Sequence, residues 1–118
     1  MSESKKSRFN RVKVESKKFM IQTGTESPVF RIQSDIIYQP TKNGNDMPKL
    51  TVVIVEENDS YDYVEGEVLV FIPTAVVVSK LNDLFPNSSY VGQCFTITQL
   101  PKQKGAKFFD VELNHCQE

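Results

Sequence analysis

The chain has 118 residues and a formal net charge of −1, with 14 Lys and Arg residues against 15 Asp and Glu residues. This length suits one hydrophobic core, and a hydrophobic content of 39% is too high for a wholly disordered chain. A net charge near zero argues against a protein that binds polyanions by bulk charge alone. A nucleic-acid-binding protein of this composition would have to segregate its charges.

The charges are indeed segregated along the sequence. Residues 1–20 hold seven basic and two acidic side chains, whereas the other 98 residues hold seven basic and thirteen acidic ones. Six of these acids lie within residues 56–67 without an intervening base, and three lysines surround Gly105. The near-neutral total therefore conceals a basic N-terminal arm, an acidic segment and a basic turn.

The length of the apolar runs and the number of cysteines indicate the cellular compartment. No apolar run approaches the length of a membrane span, and the polar N-terminus does not resemble a secretory signal. Two cysteines, Cys94 and Cys116, are too few for a disulfide framework, so we expect free thiols in a reducing cytoplasm. If the protein is viral, this would be the host cytoplasm.

The first half of the chain has the alternating or short apolar runs that are typical of strands. Residues 1–10 are polar and are predicted to form a flexible basic arm, and residues 11–118 are predicted to form a single domain. The extended segments predicted in this half span residues 11–21, 29–38, 50–55 and 66–72. A loop rich in turn-forming residues, from Pro40 to Pro48, separates the second and third of them.

One segment departs from the β pattern. Thr74 can cap a helix, and Val77, Leu81 and Leu84 then recur on one helical face. Pro86 ends the helix, because the residue before a proline avoids the helical conformation.

Two further strands are predicted after the helix, over residues 92–99 and 107–113, with a hairpin loop between them. Alternation in the last strand places Phe109, Val111 and Leu113 inward and leaves Phe108 outward.

The element order is therefore three strands, a helix and two strands, preceded by one additional segment. An all-β domain of this size must hide its sheet edges, and closure into a barrel does so. We expect a five-stranded barrel of the OB-fold, with its helix between strands 3 and 4, plus an N-terminal arm or strand. Residues 11–21 could be a barrel strand, an addition to a sheet edge or an exchanged arm.

The end of the chain carries a family resemblance. Residues 91–97 have the pattern Val-Gly-x-x-Phe-x-Ile, a Lys- and Gly-rich turn follows, and an aromatic-rich strand closes with alternating acids and aliphatics. This pattern resembles the last hairpin of small bacteriophage single-stranded DNA-binding proteins. It covers residues 66–113 and extends to the N-terminal half only by element count. The resemblance implies non-catalytic binding of single-stranded DNA in phage replication or recombination. It also implies replication or recombination proteins as partners, and a homodimer or higher homo-oligomer.

Single-strand binding requires cations for the phosphates and flat side chains on which bases stack. In the OB-fold the first-to-second and fourth-to-fifth loops flank the binding face. The first of these predicted loops carries Lys42 and Lys49, and the second carries Lys102, Lys104 and Lys107. Both flanks of the expected groove are therefore basic.

Other candidate contacts are aromatic or lie on the arm. Phe108 is the preferred stacking residue, with an ordinary surface aromatic or a dimer contact as the alternative. Tyr38 at a loop mouth could stack or could belong to the core. Arg31 could face phosphate or pair with an acid. Arg11 and Lys13 would contact phosphates if the arm is not merely a solubilising extension.

The acidic segment is not predicted to contact DNA. Its simplest interpretation is a solvated hairpin, although it could repel duplex DNA or hold the basic arm of a neighbouring subunit. Its spacing does not match that of a calcium-binding loop, and no metal site or cofactor is expected.

Two other classes of function fit the sequence less well than DNA binding. A protein-interaction or structural β-module, such as a virion adaptor, fits the net charge of −1 and is the alternative. An enzyme is not expected: His115, the only histidine, is followed by Cys116, and adjacent strand residues point to opposite faces.

Overall fold

The computed structural model describes residues 17–106 and 109–116. Six strands and one helix make up the regular structure of these residues. In chain order they are β1 (Val29–Ile32), β2 (Ile37–Pro40), β3 (Asp46–Glu56), β4 (Val68–Phe71), α1 (Ala75–Leu84), β5 (Cys94–Gln99) and β6 (Val111–His115).

The strands form one antiparallel sheet in the order β2-β3-β1-β5-β6, and β4 also pairs with β3. The long strand β3 organises this arrangement, since its first residues pair with β2 and its later residues pair with β1 and β4. Within the described residues β4 and β6 do not pair, so the sheet is not closed. The prediction of a mostly β chain with one helix is confirmed at this level.

The predicted strand over residues 29–38 is interrupted at residues 33–36 and becomes β1 and β2. At the interruption the Gln33 N–H donates to the Thr51 carbonyl at 2.8 Å, and the Thr51 N–H donates to the Ser34 hydroxyl at 2.9 Å. A side chain thus replaces the backbone as the acceptor for Thr51, and the ladder breaks there. The helix consequently follows the fourth strand of the sheet instead of the third.

The core is formed by alternate residues of β3 and by the inward-facing residues of the strands that pair with it. Val52, Ile54 and Leu69 are buried, as are Phe30 and Phe95, which are cross-strand partners on β1 and β5. Helix α1 begins after Thr74, whose hydroxyl accepts the Val77 N–H at 3.4 Å. The helix contributes Val77 and Leu81 to the core. The predicted cap is confirmed, and so are Val77 and Leu81 of the predicted apolar face, but Leu84 at the end of the helix is 54% exposed.

The segment before the turn at residues 23–28 lies along the outer edge of β4. Val70 donates its N–H to the Lys17 carbonyl at 2.9 Å and accepts the Phe19 N–H at 2.8 Å. This pairing is parallel, and Phe19 packs edge-on against Phe30 and Phe71. Residues 17–19 are therefore an edge addition in the same chain. Residues 1–16, which include the predicted arm, lie outside the described residues.

The prediction of free thiols is wrong. Cys94 and Cys116 form a disulfide, with their Cα atoms 5.5 Å apart. The β5–β6 register explains the pairing: Phe95 lies opposite His115, so the next pair along the ladder is Cys94 and Cys116. A Cα separation near this value is what a disulfide requires. The sequence separation of 22 residues does not reveal such a register.

Candidate nucleic-acid interface

The loop predicted between Pro40 and Pro48 is shorter in the structure. β2 extends to Pro40 and β3 begins at Asp46, so only residues 41–45 form the turn. The turn closes through a hydrogen bond of 3.1 Å from the Thr41 N–H to the Asn45 carbonyl. Lys42 is exposed at its tip. We call residues 37–49 the β2–β3 hairpin.

Lys49 and Tyr38 both belong to this hairpin but lie on opposite faces of it. Lys49 pairs with Ile37 and donates to the Gln39 side-chain oxygen at 3.2 Å. Tyr38 pairs with Pro48 on the other face and is 57% exposed. Since successive strand residues point to opposite sides, a single strand of DNA on one face would not contact both.

Arg31 shares the face of Lys49. It lies opposite Val53, and residues 49, 51 and 53 of β3 alternate with the buried ones. The Arg31 guanidinium donates to the Gly92 carbonyl at 3.2 Å, which holds the partly buried side chain against the loop before β5. Arg31 and Lys49 thus bring two cationic side chains to the outer face of the sheet.

The β5–β6 loop carries the second lysine cluster. Lys102 and Lys104 are exposed, and a hydrogen bond of 3.0 Å from the Ala106 N–H to the Gln103 carbonyl closes a turn that contains Lys104. Gly105 in this turn has a φ of 82°, a left-handed conformation that side chains with a Cβ rarely adopt. Four predicted contact residues, Arg11, Lys13, Lys107 and Phe108, lie outside the described residues.

Phe109 corrects the predicted orientation of the last strand. It was expected to point inward, but it is 40% exposed, and the Lys102 Nζ lies 6.0 Å from its ring centroid. The reason is that the ladder begins only with the pair Gln99 and Val111, so strand alternation does not apply at position 109. The alternation of the sequence assigns Phe109 to the core, whereas the structure exposes it beside Lys102.

The acidic segment, residues 56–67, holds the N-terminal segment through two tyrosines. The Tyr61 hydroxyl donates to the Thr25 carbonyl at 3.0 Å and accepts the Gln22 N–H at 2.7 Å. The Tyr63 hydroxyl donates to the Lys18 carbonyl and accepts the Met20 N–H, each at 2.9 Å. Burial raises the pKa of Tyr61 above its ordinary value, which keeps the phenol protonated as a donor. Sequence reasoning missed this structural role.

Lys17 attaches the N-terminal segment to the acidic segment. Its Nζ lies 3.0 Å from a Glu67 carboxylate oxygen and 4.9 Å from the Tyr63 ring centroid, and it donates to the Asp62 carbonyl. The hydrogen bond to Glu67 raises the pKa of Lys17. The pKa of Glu67 is lowered, first by the Val64 N–H and then by Lys17. A basic residue of the same chain, and not only solvent, therefore contacts the acidic segment.

No group of three or more His, Cys, Asp or Glu side chains within residues 17–106 and 109–116 could hold a metal ion. The His115 imidazole hydrogen-bonds to the Gln93 side chain at 2.9 Å and packs against Phe85. An apolar cavity of about 350 Å³ lies between the N-terminal segment, α1 and β6, where Phe19, Val77 and Val111 line it. No helix in the described part of the chain is long and apolar enough to span a membrane.

Comparison with known proteins found no matching family model, no matching curated protein and no matching solved structure.

Proposed function

We propose that this chain is a non-catalytic module that binds single-stranded DNA. The observation that carries the proposal is the exposed Phe109 ring with the Lys102 ammonium 6.0 Å from its centroid, on a loop that also bears Lys104. A base can stack on the free face of such a ring while the ammonium meets the adjacent phosphate. Stacking is tolerant of sequence, so little base preference is expected.

The β2–β3 hairpin and the outer face of the sheet supply further contacts in this proposal. Lys42 at the hairpin tip, Lys49 on β3 and Arg31 on β1 offer cations for the backbone. Tyr38 is exposed on the opposite face of the hairpin, where a base could stack if the strand wraps around it.

The finer fold assignment belongs to the same proposal. If β1 and β2 count as one bent strand, the order of five strands with a helix before the fourth is that of an OB barrel. The β1–β3, β3–β4, β1–β5 and β5–β6 pairings are compatible with this topology. A role in phage replication or recombination, as a homo-oligomer, extends the proposal to the biological setting.

Titration with a dT oligomer tests the proposal. Five described cations would contact phosphates, namely Arg31, Lys42, Lys49, Lys102 and Lys104. Each phosphate neutralised contributes about 0.7 to the slope of log K against log salt, so a slope of about −3.5 is expected. Absence of dT binding at 50 mM salt would show that the proposal is wrong.

A second candidate function, a protein-interaction β-module, is favoured by apolar residues on the outer face of the sheet. Val53 and Val68 are cross-strand partners on that face and Val68 is 56% exposed, while Val64, in the loop before β4, is 57% exposed. Exposed apolar patches often mark interaction sites. Light scattering that finds a large ordered assembly, together with no affinity for dT, would favour this function over DNA binding.

A further inference from the structure

The bend between β1 and β2 is tied to a distant loop by one carboxylate. Asp35 accepts hydrogen bonds from the Ser88 hydroxyl at 2.6 Å and from the Tyr90 hydroxyl. It also accepts the N–H of the next residue, Ile36, at 2.7 Å. Ser88 and Tyr90 belong to the loop between α1 and β5, more than 50 positions along the chain. The carboxylate therefore joins the base of the β2–β3 hairpin to the body of the protein.

The loop that supplies these hydroxyls is itself well anchored. The Tyr90 side chain is 3% exposed and belongs to the core cluster. Asn87 and Ser88 have φ angles of 61° and 64°, in the left-handed region that residues with a Cβ rarely adopt. A backbone in that region persists only where its surroundings hold it there. Asp35 is thus bound to a defined position and not to a freely moving loop.

The hairpin continues into the sheet through β3, but its other strand, β2, packs against little else. All four β2 residues are exposed, and β2 makes its extensive contacts with β3 alone among the described elements. Ser34 fixes the bend on the β3 side by accepting the Thr51 N–H. On the other side, Asp35 bonds to Ser88 and Tyr90, the Ile36 N–H lies 3.5 Å from the Tyr90 hydroxyl, and the Ile36 side chain packs against the core. The direction in which the hairpin projects is consequently decided at its base.

We propose that Asp35 is a positioning residue that orients the β2–β3 hairpin, and with it Lys42 and Lys49, toward a bound single strand. This inference rests on the proposed function. The Asp35 carboxylate itself repels phosphate, but it holds the hairpin whose lysines attract phosphate. Loss of Asp35 should weaken binding although it makes the protein less acidic.

Two variants with the same change in charge separate positioning from bulk electrostatics. Asp35→Ala removes the tie, whereas Asp46→Ala removes an exposed carboxylate from the same hairpin. With a dT oligomer, Asp46→Ala should bind at least as tightly as the unaltered protein. Asp35→Ala should bind more weakly, and its salt slope should become shallower by about 1.4, the share of Lys42 and Lys49 at about 0.7 for each phosphate. Equal binding by both variants would overturn the inference.

Hairpin orientation can be measured without DNA. Residual dipolar couplings of backbone amides should fit one common alignment for the hairpin and the rest of the sheet in the unaltered protein and in Asp46→Ala. In Asp35→Ala the couplings of residues 37–49 should be scaled down relative to β1 and β5. A common alignment retained in Asp35→Ala would contradict the positioning role.

Substitution of the two residues that donate hydrogen bonds to Asp35 tests the same tie without altering Asp35, and it serves if Asp35→Ala misfolds. Tyr90→Phe together with Ser88→Ala keeps the carboxylate and the buried ring but removes both hydroxyl donors, and it should reproduce the altered couplings. Asp35→Asn keeps an oxygen acceptor and should give an intermediate effect. Failure of the unaltered protein to bind dT would be a failure of the proposed function itself. Normal binding by both the unaltered protein and Asp35→Ala would be a failure of this inference alone.

Discussion

At the scale of single residues, local pattern and local environment disagree most clearly at Phe109. Alternation assigns it to the core, but the strand that would impose alternation begins two residues later, at Val111. The side chain is left exposed near Lys102. Tyr61 shows the opposite case, since a tyrosine within an acidic segment is buried and hydrogen-bonded to the backbone of another segment.

Replacing Phe109 should weaken DNA binding without loss of stability. Phe109→Ala removes a stacking platform worth about 1–3 kcal/mol, so affinity for dT should fall by roughly 5-fold to 150-fold. Because the ring is exposed and outside the ladder, the midpoint of urea unfolding should change little. Leu84→Ala, at another exposed apolar position, is the control and should leave affinity unchanged. Unchanged dT affinity in Phe109→Ala would remove the main support for the proposed function.

Removing the Tyr61 hydroxyl should destabilise the fold. In Tyr61→Phe the Gln22 N–H and the Thr25 carbonyl lose their partner, and a partly buried group left unsatisfied costs about 1–3 kcal/mol. The free energy of unfolding from urea titration measures this loss. Tyr38→Phe, which alters an exposed tyrosine, should leave that free energy within about 0.5 kcal/mol of the original value. Equal stability of the two variants would argue against the tyrosine contacts.

Acid should remove part of the stability through Asp35. Its pKa is lowered from the ordinary value of 3.8, first by the Ser88 hydroxyl and then by Tyr90. A lowered folded-state pKa means that the carboxylate stabilises the fold fully above the unfolded-state pKa, and that this contribution is lost as pH falls through the folded-state value. Unfolding free energy measured from pH 6 to pH 2 should therefore fall less steeply for Asp35→Asn below about pH 4. Identical acid limbs would show that the hydrogen bonds do not favour the ionised form.

At the scale of elements, helix α1 was predictable because its signals are local. Thr74, the apolar face and Pro86 all act within one turn of the positions they affect, and the helix spans Ala75–Leu84. Strand boundaries were less predictable. The interruption at residues 33–36 and the late start of β6 depend on which backbone groups meet across the sheet, and neighbouring residues do not encode this.

The disulfide across the ends of β5 and β6 supports a prediction at this scale. Closing a loop of 22 residues in the unfolded chain should contribute about 3 kcal/mol. Urea unfolding of the oxidised protein should therefore lose about this amount when a reductant is added. Cys116→Ser should lose it without reductant and should then be insensitive to reductant. Coincident unfolding curves with and without reductant would contradict the disulfide.

At the scale of the whole molecule, the placement of charge matters more than its total. The acidic segment meets Lys17 at one part of the surface, while Lys102 and Lys104 stand exposed on a separate loop. A net charge of −1 therefore does not describe what a polyanion would encounter at that loop.

Charge-matched variants test this distribution. Lys104→Gln should make the salt slope of dT binding shallower by about 0.7, the share of one lost phosphate contact. Lys80→Gln changes net charge in the same sense, but its Nζ lies 3.9 Å from Asp110 on the α1 side, so it should leave the slope unchanged. Affinity that follows net charge alone, whichever lysine is removed, would argue against a defined interface.

The sequence by itself determined the β-rich composition, the position of helix α1 and the segregation of charge, because these depend on periodicity, capping residues and side-chain identity within short windows. Tertiary structure alone decided the bend at Asp35, the pairing of Cys94 with Cys116 and the exposure of Phe109. It also decided that residues 17–19 occupy the edge of β4. Each of these depends on register between strands distant in sequence, where hydrogen bonds and disulfide geometry select one partner among many. The lysines of the candidate interface were identifiable from composition, but their arrangement on faces and loops required the sheet.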